Sequence, residues 1–386
     1  MKMKRKITAI ILAIVLVTAL AAACNGGGAP AVPQTDEASA VPTVAPTPED
    51  SEAPALPGDG VSIALLVATN LGDMSFNDSA LRGVTRARDE LGINFRVIED
   101  NNDPTRFEST FLEMAEEGHN IVIGGSQYTQ YIERHADSFP NVTFINFDSS
   151  VDWALGNFSN VNSIRYLQNE GSFLGGYLLG SLTETGLVGF LGGMDTAVIN
   201  DFLVGFIEGA QFANPDIRVS TVYSHSFSDP AAGKELALAM IAQGADFTFN
   251  VAGGTGLGSI EAAAESGTRI LGVDSDQAMM FSQTGRMEMA EVIVSSVLKN
   301  VDASLFRAIS NYVTGTLLTG QTEYLGFAEG GVGLADNEFF RASVSADLID
   351  RLFELEKMII AGDIVVGTSL GPGAVDVAAL RASVSP

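Results

Sequence analysis

The stretch Val61-Ser-Ile-Ala-Leu-Leu-Val-Ala68 is apolar at nearly every position. Continuous hydrophobicity of this length is typical of a strand that is buried on both faces of a parallel sheet. Apolar residues follow at helical spacing over 81–91, and Gly92 marks the end of that helix. The stretch therefore predicts the first strand–helix unit of an α/β fold.

The alternation of strand and helix recurs along the chain. Further strands are predicted near 95–98, 121–123, 142–147, 187–191, 217–223, 247–251 and 269–273. Asp103-Pro104 and Asp229-Pro230 are each predicted to open a helix, with Asp as the cap and Pro in the first turn. Two successive runs of strand and helix predict two α/β lobes with parallel sheets.

The N-terminal residues differ in composition from this body. Residues 1–23 combine a basic start, a short apolar core and small residues at the end, as an export signal does. Cys24, the only cysteine, follows at once, which is the arrangement of a bacterial lipoprotein signal peptide, although Ala21 stands where Leu is usual. An uncleaved transmembrane anchor is the alternative, but the apolar run is slightly short for it.

A linker and two lobes are expected after the signal. Residues 24–58, with the lipidated Cys24 at their start, hold seven of the 13 prolines and no large apolar cluster, which predicts a disordered Pro-rich tether. We expect an N-terminal lobe at 59–165 (with part of 280–320) and a C-terminal lobe at 166–280 (with part of 320–370). The chain would then cross between the lobes more than once.

Composition and charge exclude several classes of function. The formal net charge of −26 argues against a nucleic-acid partner and against binding anionic lipid through a basic patch. A body without cysteine uses no disulfides, so its stability has to come from its cores. The three histidines have no metal-ligand spacing, and no G-x-S-x-G elbow is present. No metal, cofactor or catalytic residue is predicted, and we expect a monomer.

The loop after the first strand is a candidate binding element. It reads Asn70-Leu-Gly-Asp-Met-Ser-Phe-Asn-Asp-Ser-Ala80, and ligands of open α/β sheets bind at the carboxyl ends of strands. Phe76 could stack on a flat ligand there. The equal alternative is that Phe76 packs under the loop while Asn77 or Asp78 caps the helix.

Two carboxylates end predicted strands, one in each lobe. Asp148 follows Phe-Ile-Asn-Phe147, and Asp274 follows Ile-Leu-Gly-Val273. We expect both at the mouth between the lobes, where a carboxylate accepts paired hydrogen bonds from hydroxyl or N–H groups. Each could instead cap the next helix. The sequence also leaves open that Asp148 and Asp274 form an acid–base pair across a cleft.

A glycine-rich loop, Ala252-Gly-Gly-Thr-Gly-Leu-Gly258, lies between a predicted strand and a predicted helix. Its glycines let the backbone approach a ligand, and the helix start offers N–H donors. The loop fits neither G-x-G-x-x-G nor a P-loop. It predicts a ligand-approach loop rather than a cofactor fingerprint.

An ordered set of short motifs resembles the basic membrane protein family, whose members are purine-nucleoside-binding lipoproteins that serve ABC importers. The motifs are Asp73-Met-Ser-Phe-Asn77 with Gly83, Phe173-Leu-Gly-Gly176, Val188-Gly-Phe-Leu-Gly-Gly193, Phe202-Leu-Val-Gly-Phe206, Ala252-Gly-Gly-Thr-Gly256, Gly272-Val-Asp-Ser-Asp-Gln277 and Ser295-Ser-Val-Leu-Lys299. Their order and spacing cover nearly all of 61–366.

The resemblance implies a type I periplasmic-binding-protein-like fold, with two doubly wound parallel-sheet lobes joined by a hinge and a purine nucleoside between them. It also implies a role for each matched residue. Phe76 and Phe202 would stack on the two faces of the purine, Asp148 would take hydrogen bonds from the base, Asp274 and Lys299 would hold the ribose hydroxyls near the Gly253 and Gly254 backbone, and Asp73, Ser75 and Asn77 would shape the pocket.

The resemblance further implies a protein that does no chemistry and needs no cofactor. It would be held through Cys24 at the extracytoplasmic face of the cell membrane and would deliver its ligand to an ABC permease. Two alternatives remain: the same fold binding a sugar or a signalling ligand, and an extracellular nucleoside-cleaving enzyme that uses Asp148 and Asp274.

Overall fold

The computed structural model describes residues 56–386. The predicted signal peptide, Cys24 and nearly all of the predicted linker lie outside this range. The described strands are β1 (Ser62–Val67), β2 (Asn94–Glu99), β3 (Ile121–Gly124), β4 (Thr143–Phe147), β5 (Val161–Tyr166), β6 (Leu187–Gly192), β7 (Arg218–Tyr223), β8 (Phe247–Val251), β9 (Arg269–Asp274), β10 (Ile293–Lys299), β11 (Gln321–Leu325) and β12 (Val332–Leu334).

Helices connect these strands. They are α1 (Phe76–Leu91), α2 (Phe107–Glu116), α3 (Thr129–His135), α4 (Gln168–Leu182), α5 (Ala197–Ala213), α6 (Pro230–Ala242), α7 (Gly254–Ser266), α8 (Gln277–Gln283), α9 (Met287–Ala290), α10 (Val301–Val313), α11 (Glu338–Ser343), α12 (Ala346–Ala361) and α13 (Val377–Ser383).

The strands form two six-stranded sheets with the same order. The first runs β11-β5-β4-β3-β1-β2, and the second runs β12-β10-β9-β8-β6-β7. Neighbouring strands are parallel throughout the first sheet, whereas β12 pairs antiparallel with β10 at the edge of the second. Strand order reverses beside β1 and beside β6, so each lobe is doubly wound. The predicted class, two doubly wound lobes of the type I periplasmic-binding fold, is confirmed.

The chain crosses between the lobes three times within the described residues. It passes from β5 in the first sheet to α4 beside the second, from β10 in the second sheet to α10 beside α1, and from β11 in the first sheet to β12 in the second. The C-terminal segment then follows the second lobe, where the Val384 carbonyl accepts a hydrogen bond from the Val219 N–H at 2.7 Å.

The core of the second lobe depends on close contact between α4 and α5. A Cβ at Gly205 would lie 2.0 Å from the Asn169 carbonyl oxygen, and a Cβ at Gly209 would lie 1.9 Å from that of Phe173. Both positions therefore require glycine. This contact fixes α5, which carries Phe202, against the helix that follows the first crossing.

Two predicted helix starts have different outcomes. Asp229 caps α6, because its carboxylate accepts the Ala232 N–H at 3.0 Å. Asp103 does not cap α2, which begins at Phe107. The Asp103 carboxylate instead accepts the N–H and hydroxyl of Thr105 and closes a turn before the helix.

Candidate functional site

The two strand-end carboxylates occupy equivalent places in the two lobes. Asp148 follows β4 directly and Asp274 ends β9, the corresponding strand of the second sheet. Both have positive φ, 58° and 61°, and both are 8% exposed. Few non-glycine residues other than Asp and Asn adopt this conformation, and such positions are concentrated at functional sites. The site therefore begins with one buried carboxylate from each lobe, each at a residue with positive φ.

Lys299 connects the lobes at this site. It ends β10, and its Nζ donates a hydrogen bond to Asp148 Oδ1 at 2.7 Å. The Lys299 and Asp148 side chains are only 3% and 9% exposed. A buried ion pair of this kind brings together a residue from each sheet and neutralises both charges.

Three aromatic rings surround the same ammonium group. The Lys299 Nζ lies 5.2 Å from the ring centroid of Phe76, 5.6 Å from that of Tyr166 and 4.9 Å from that of Phe202. These distances are within cation–π range. We call Phe76, Tyr166 and Phe202 the aromatic cage. It brings Phe76 of the first lobe and Phe202 of the second to one place, and it adds Tyr166, which the sequence did not single out.

Asp274 forms a second contact between the lobes. Its Oδ2 accepts a hydrogen bond from the Ser75 hydroxyl at 2.5 Å, and the Ser275 hydroxyl donates to the Ser75 carbonyl at 3.1 Å. Burial raises the pKa of the Asp274 carboxyl, and the Asp148 carboxylate acts in the same direction. The Lys299 ammonium and the Ser75 hydroxyl oppose that increase. The lobes are thus closed on each other at the carboxylates.

The loop 70–80 is built from its own side chains. The Asp73 carboxylate accepts the N–H groups of Ser75, Asn77 and Asp78 at 2.9–3.1 Å. The Asn77 amide donates to Thr69 Oγ1 at 2.8 Å. Burial raises the pKa of Asp73 to about 6, although the hydrogen bonds from these N–H groups act to lower it. Asp73 and Asn77 therefore hold the loop and the start of α1, and through them the position of Phe76.

The Phe76 ring packs on the first lobe as well as facing the ammonium group. It stacks on Phe147 of β4, with 5.2 Å between centroids and 20° between planes. Phe76 is only partly buried. The structure thus shows Phe76 packed on Phe147 beside the Lys299 ammonium, and stacking of Phe76 on a ligand stays a prediction.

The glycine-rich loop is the first turn of α7 rather than a loop before it. The helix begins at Gly254, within the segment that was predicted to be a loop, and Gly253 has φ 54°. A Cβ placed at Gly254 would lie 3.9 Å from the Asp73 Cβ of the opposite lobe. The start of α7 therefore approaches the loop 70–80 across the cleft.

Asp201 is a site neighbour that the sequence did not reveal. It precedes Phe202 on α5, is 1% exposed, and accepts hydrogen bonds from Gln168 Nε2 at 2.8 Å and the Ser369 N–H at 3.0 Å. The Thr368 hydroxyl donates to the same carboxylate. Burial raises the Asp201 pKa. Asp201 thereby fixes the start of α5 to the first crossing and to the C-terminal segment.

Among residues 56–386, no group of three or more His, Cys, Asp or Glu side chains is arranged to hold a metal ion. His119 and His135 each contact a surface glutamate. In the same range, no helix has the length and apolar character needed to cross a membrane.

Comparison with known proteins gives a consistent result. The profile of the family described as "ABC transporter substrate-binding protein PnrA-like" matches residues 60–368. The chain is 30% identical over 311 residues to Basic membrane protein A of Borreliella burgdorferi, covering 79% of this chain and 87% of that protein. It is 27% identical over 321 residues to the CD4+ T-cell-stimulating antigen of Listeria innocua, with the same coverage.

A solved structure supports the same fold. An ABC transporter solute-binding protein from Aeropyrum pernix superimposes with a TM-score of 0.74 and 25% sequence identity, covering 84% of this chain and 98% of that one.

Proposed function

The chain belongs to the basic membrane protein family of PnrA-like ABC transporter substrate-binding proteins, and from this membership we propose that it captures purine nucleosides between its lobes for import. As a member it is a solute-binding protein and not an enzyme, so the interpretation as a nucleoside-cleaving enzyme is dropped. The partner that such a protein serves is an ABC permease.

The observation that carries the proposal is the pairing of the aromatic cage with carboxylates from both lobes. Phe76 lies on the first lobe and Phe202 on the second. Their ring centroids are 5.2 Å and 4.9 Å from the Lys299 Nζ. Aromatic rings of this kind stack on a nucleobase. Carboxylates accept hydrogen bonds from vicinal hydroxyls and from N–H groups. A purine nucleoside presents both kinds of surface.

The individual roles follow the resemblance. We assign Asp148 to the N–H groups of the base, and Asp274 and Lys299 to the ribose hydroxyls. The Lys299 ammonium has three N–H donors and uses one on Asp148. The backbone of Gly253 and Gly254 would contact the ligand from α7, while Asp73, Ser75 and Asn77 hold the loop that presents Phe76.

Replacing Phe76 by leucine should weaken guanosine binding roughly 5- to 150-fold, because base stacking contributes about 1–3 kcal/mol. Leucine keeps an apolar side chain against Phe147 but has no ring. Isothermal calorimetry of the variant measures the loss. Phe353→Leu, at an exposed position on α12, is the matched control and should bind normally. Normal guanosine binding by Phe76→Leu would contradict the stacking role, and tighter binding of ribose or galactose than guanosine would favour a sugar ligand.

We further propose that the body is tethered to the extracytoplasmic face of the cell membrane through lipidated Cys24. The supporting pattern is the signal-like sequence that ends immediately before this cysteine. A random coil of the length of the predicted linker, residues 24–58, would reach about 30–35 Å from the membrane. That distance would keep the receptor near its permease.

Replacing Cys24 by serine should release the protein from membranes, because serine offers no thiol for the lipid. Fractionation of cells and medium, followed by immunoblotting, measures the distribution. Guanosine binding by the released protein should equal that of the wild type, since the binding site lies far along the chain. A Cys24→Ser protein that remains in the membrane fraction would show that residues 1–23 act as an uncleaved anchor.

A further inference from the structure

A cavity lies where the two lobes and the C-terminal segment meet. Its volume is about 460 Å³, within the range of roughly 300–1,000 Å³ typical of small-molecule sites. Its walls come from the first crossing, from β11, from the end of α12 and from the segment that follows α12. Tyr166 and Asp201 line both this cavity and the surroundings of Lys299, whereas Phe76, Asp148 and Asp274 do not line it.

Arg165 is the basic residue of this cavity. It lies on β5 next to Tyr324 of β11, with which it is in register. Its Nε is buried without a hydrogen-bond partner, and within residues 56–386 its guanidinium forms no ion pair. A guanidinium is permanently charged and offers a planar fork of N–H donors suited to a carboxylate. The Arg165 side chain is partly buried, and its buried Nε–H is unfavourable unless a ligand accepts a hydrogen bond from it.

The acidic residues of the cavity do not supply that anion. Asp201 already accepts hydrogen bonds from Gln168 and from the C-terminal segment. The Glu170 carboxylate accepts the Phe327 N–H at 2.8 Å, and burial raises its pKa. Neither carboxylate is within ion-pair distance of Arg165.

Asn169 also has an unsatisfied polar atom and lies at this cavity. It lines the cavity and is 5% exposed. Its Nδ2 donates to the carbonyls of Val366 and Gly367, but its Oδ1 has no partner among the described residues. An amide oxygen needs a donor, which an ionised carboxylate does not have, so recognition of a carboxylate falls to Arg165. The remaining walls are largely apolar and include Leu167, Ile359, Ile364, Val366 and Leu370.

We propose that this cavity binds a small organic carboxylate with an apolar body, held by Arg165 and packed against the apolar walls. Arg165 and Tyr324 belong to the first lobe, whereas Asn169 and the C-terminal segment belong to the second. The shape of the cavity therefore depends on the angle between the lobes. A carboxylate that fits the cavity at the lobe angle of this structure, in which the contacts at Asp148 and Asp274 are closed, should therefore favour lobe closure.

The binding test uses 4-phenylbutyrate as the anionic probe and 4-phenylbutanamide as its neutral counterpart. Calorimetry should show phenylbutyrate binding to the wild type and to Arg218→Met, a control on the exposed start of β7. Arg165→Met should weaken binding roughly 10- to 100-fold, the loss of charge-assisted hydrogen bonds. The amide should bind the wild type as weakly as phenylbutyrate binds Arg165→Met.

Several results would overturn the cavity site: no saturable phenylbutyrate binding to the wild type, equal binding of acid and amide, or equal binding by Arg165→Met. Thermal unfolding verifies that Arg165→Met is folded. Ile364→Trp provides a second variant that keeps Arg165 and fills the cavity, and it should abolish probe binding. Unchanged probe binding by Ile364→Trp would place the probe elsewhere and also overturn the proposal.

The coupling to the cleft rests on the proposed function and is measured separately. Saturating phenylbutyrate should tighten guanosine binding about 5-fold or more in the wild type, and by reciprocity guanosine should tighten phenylbutyrate binding equally. Arg165→Met should show no such effect. Unchanged guanosine affinity would contradict the coupling. If neither the wild type nor Arg165→Met binds guanosine, only the proposed nucleoside ligand is contradicted. Phenylbutyrate binding tests the cavity independently of guanosine.

Discussion

Replacing Asp274 by alanine is expected to weaken guanosine or adenosine binding ~10²–10⁴-fold. We assign two hydroxyl-to-carboxylate hydrogen bonds to Asp274, and each bond to a charged group contributes about 1.5–3 kcal/mol. The carboxylate is 8% exposed and already accepts the Ser75 hydroxyl from the opposite lobe. Its loss would remove both a ligand contact and a closure contact. Calorimetry with the two nucleosides measures the change.

Two variants separate this effect from disturbance of the fold. Asp274→Asn tolerates the positive φ of 61° better than alanine does, and it should also weaken binding because an amide has only one acceptor oxygen. Asp216→Ala, at an exposed position before β7, should bind normally. If Asp274→Ala binds guanosine as tightly as the wild type, the ribose assignment is wrong.

The pH dependence of binding should have a definite sign. Burial raises the pKa of Asp274, so the carboxylate is protonated at a higher pH than an ordinary aspartate. Hydroxyl donors bind the ionised form more strongly. Nucleoside affinity should therefore fall as the pH is lowered through the pKa of Asp274, and this part of the dependence should be absent from Asp274→Ala. An identical pH profile in the variant would contradict the assignment.

Replacing Lys299 by methionine should lower the free energy of unfolding by about 3–5 kcal/mol, the cost of leaving one member of a buried ion pair unpaired. The Lys299 ammonium donates to Asp148 at 2.7 Å, and both side chains are almost fully buried. Methionine keeps the apolar stem among the aromatic cage. Urea unfolding followed by circular dichroism measures the loss, and Lys357→Met, on the exposed face of α12, should change stability little.

The double variant Lys299→Met/Asp148→Asn tests the cause of that loss. Asparagine removes the buried charge and still tolerates the positive φ at position 148. If the unpaired carboxylate causes the instability, the double variant should recover most of the free energy lost in Lys299→Met. A double variant as unstable as Lys299→Met would show that the loss comes from packing of the lysine stem instead.

Strong local patterns made much of the fold predictable. The continuous apolar run of β1, the left-handed Gly92 after α1 and the Asp229 cap of α6 are local signals, and each occurs in the structure as predicted. Asp148 and Asp274 could be placed at strand ends because apolar runs stop beside them. Their common conformation and their burial required the tertiary structure.

Other elements have no adequate local signal. In β5, polar side chains are buried with apolar ones, and α4 contains glycines that weaken its helical propensity. Those glycines are explained by the contact between α4 and α5, which is a tertiary feature. Tyr166 and Asp201 could not be predicted as site residues for a related reason, because their contacts join residues that are distant in sequence. Tyr166 lies beside Lys299, and Asp201 accepts a hydrogen bond from Thr368, 167 residues away.

Binding of a purine nucleoside in the cleft around Lys299 can be measured by calorimetric titration of the purified protein with guanosine, adenosine, free guanine, ribose and galactose. We expect saturable binding of a purine nucleoside with one site per chain, and much weaker binding of ribose and galactose. Saturable binding of a sugar without binding of either nucleoside would contradict this expectation.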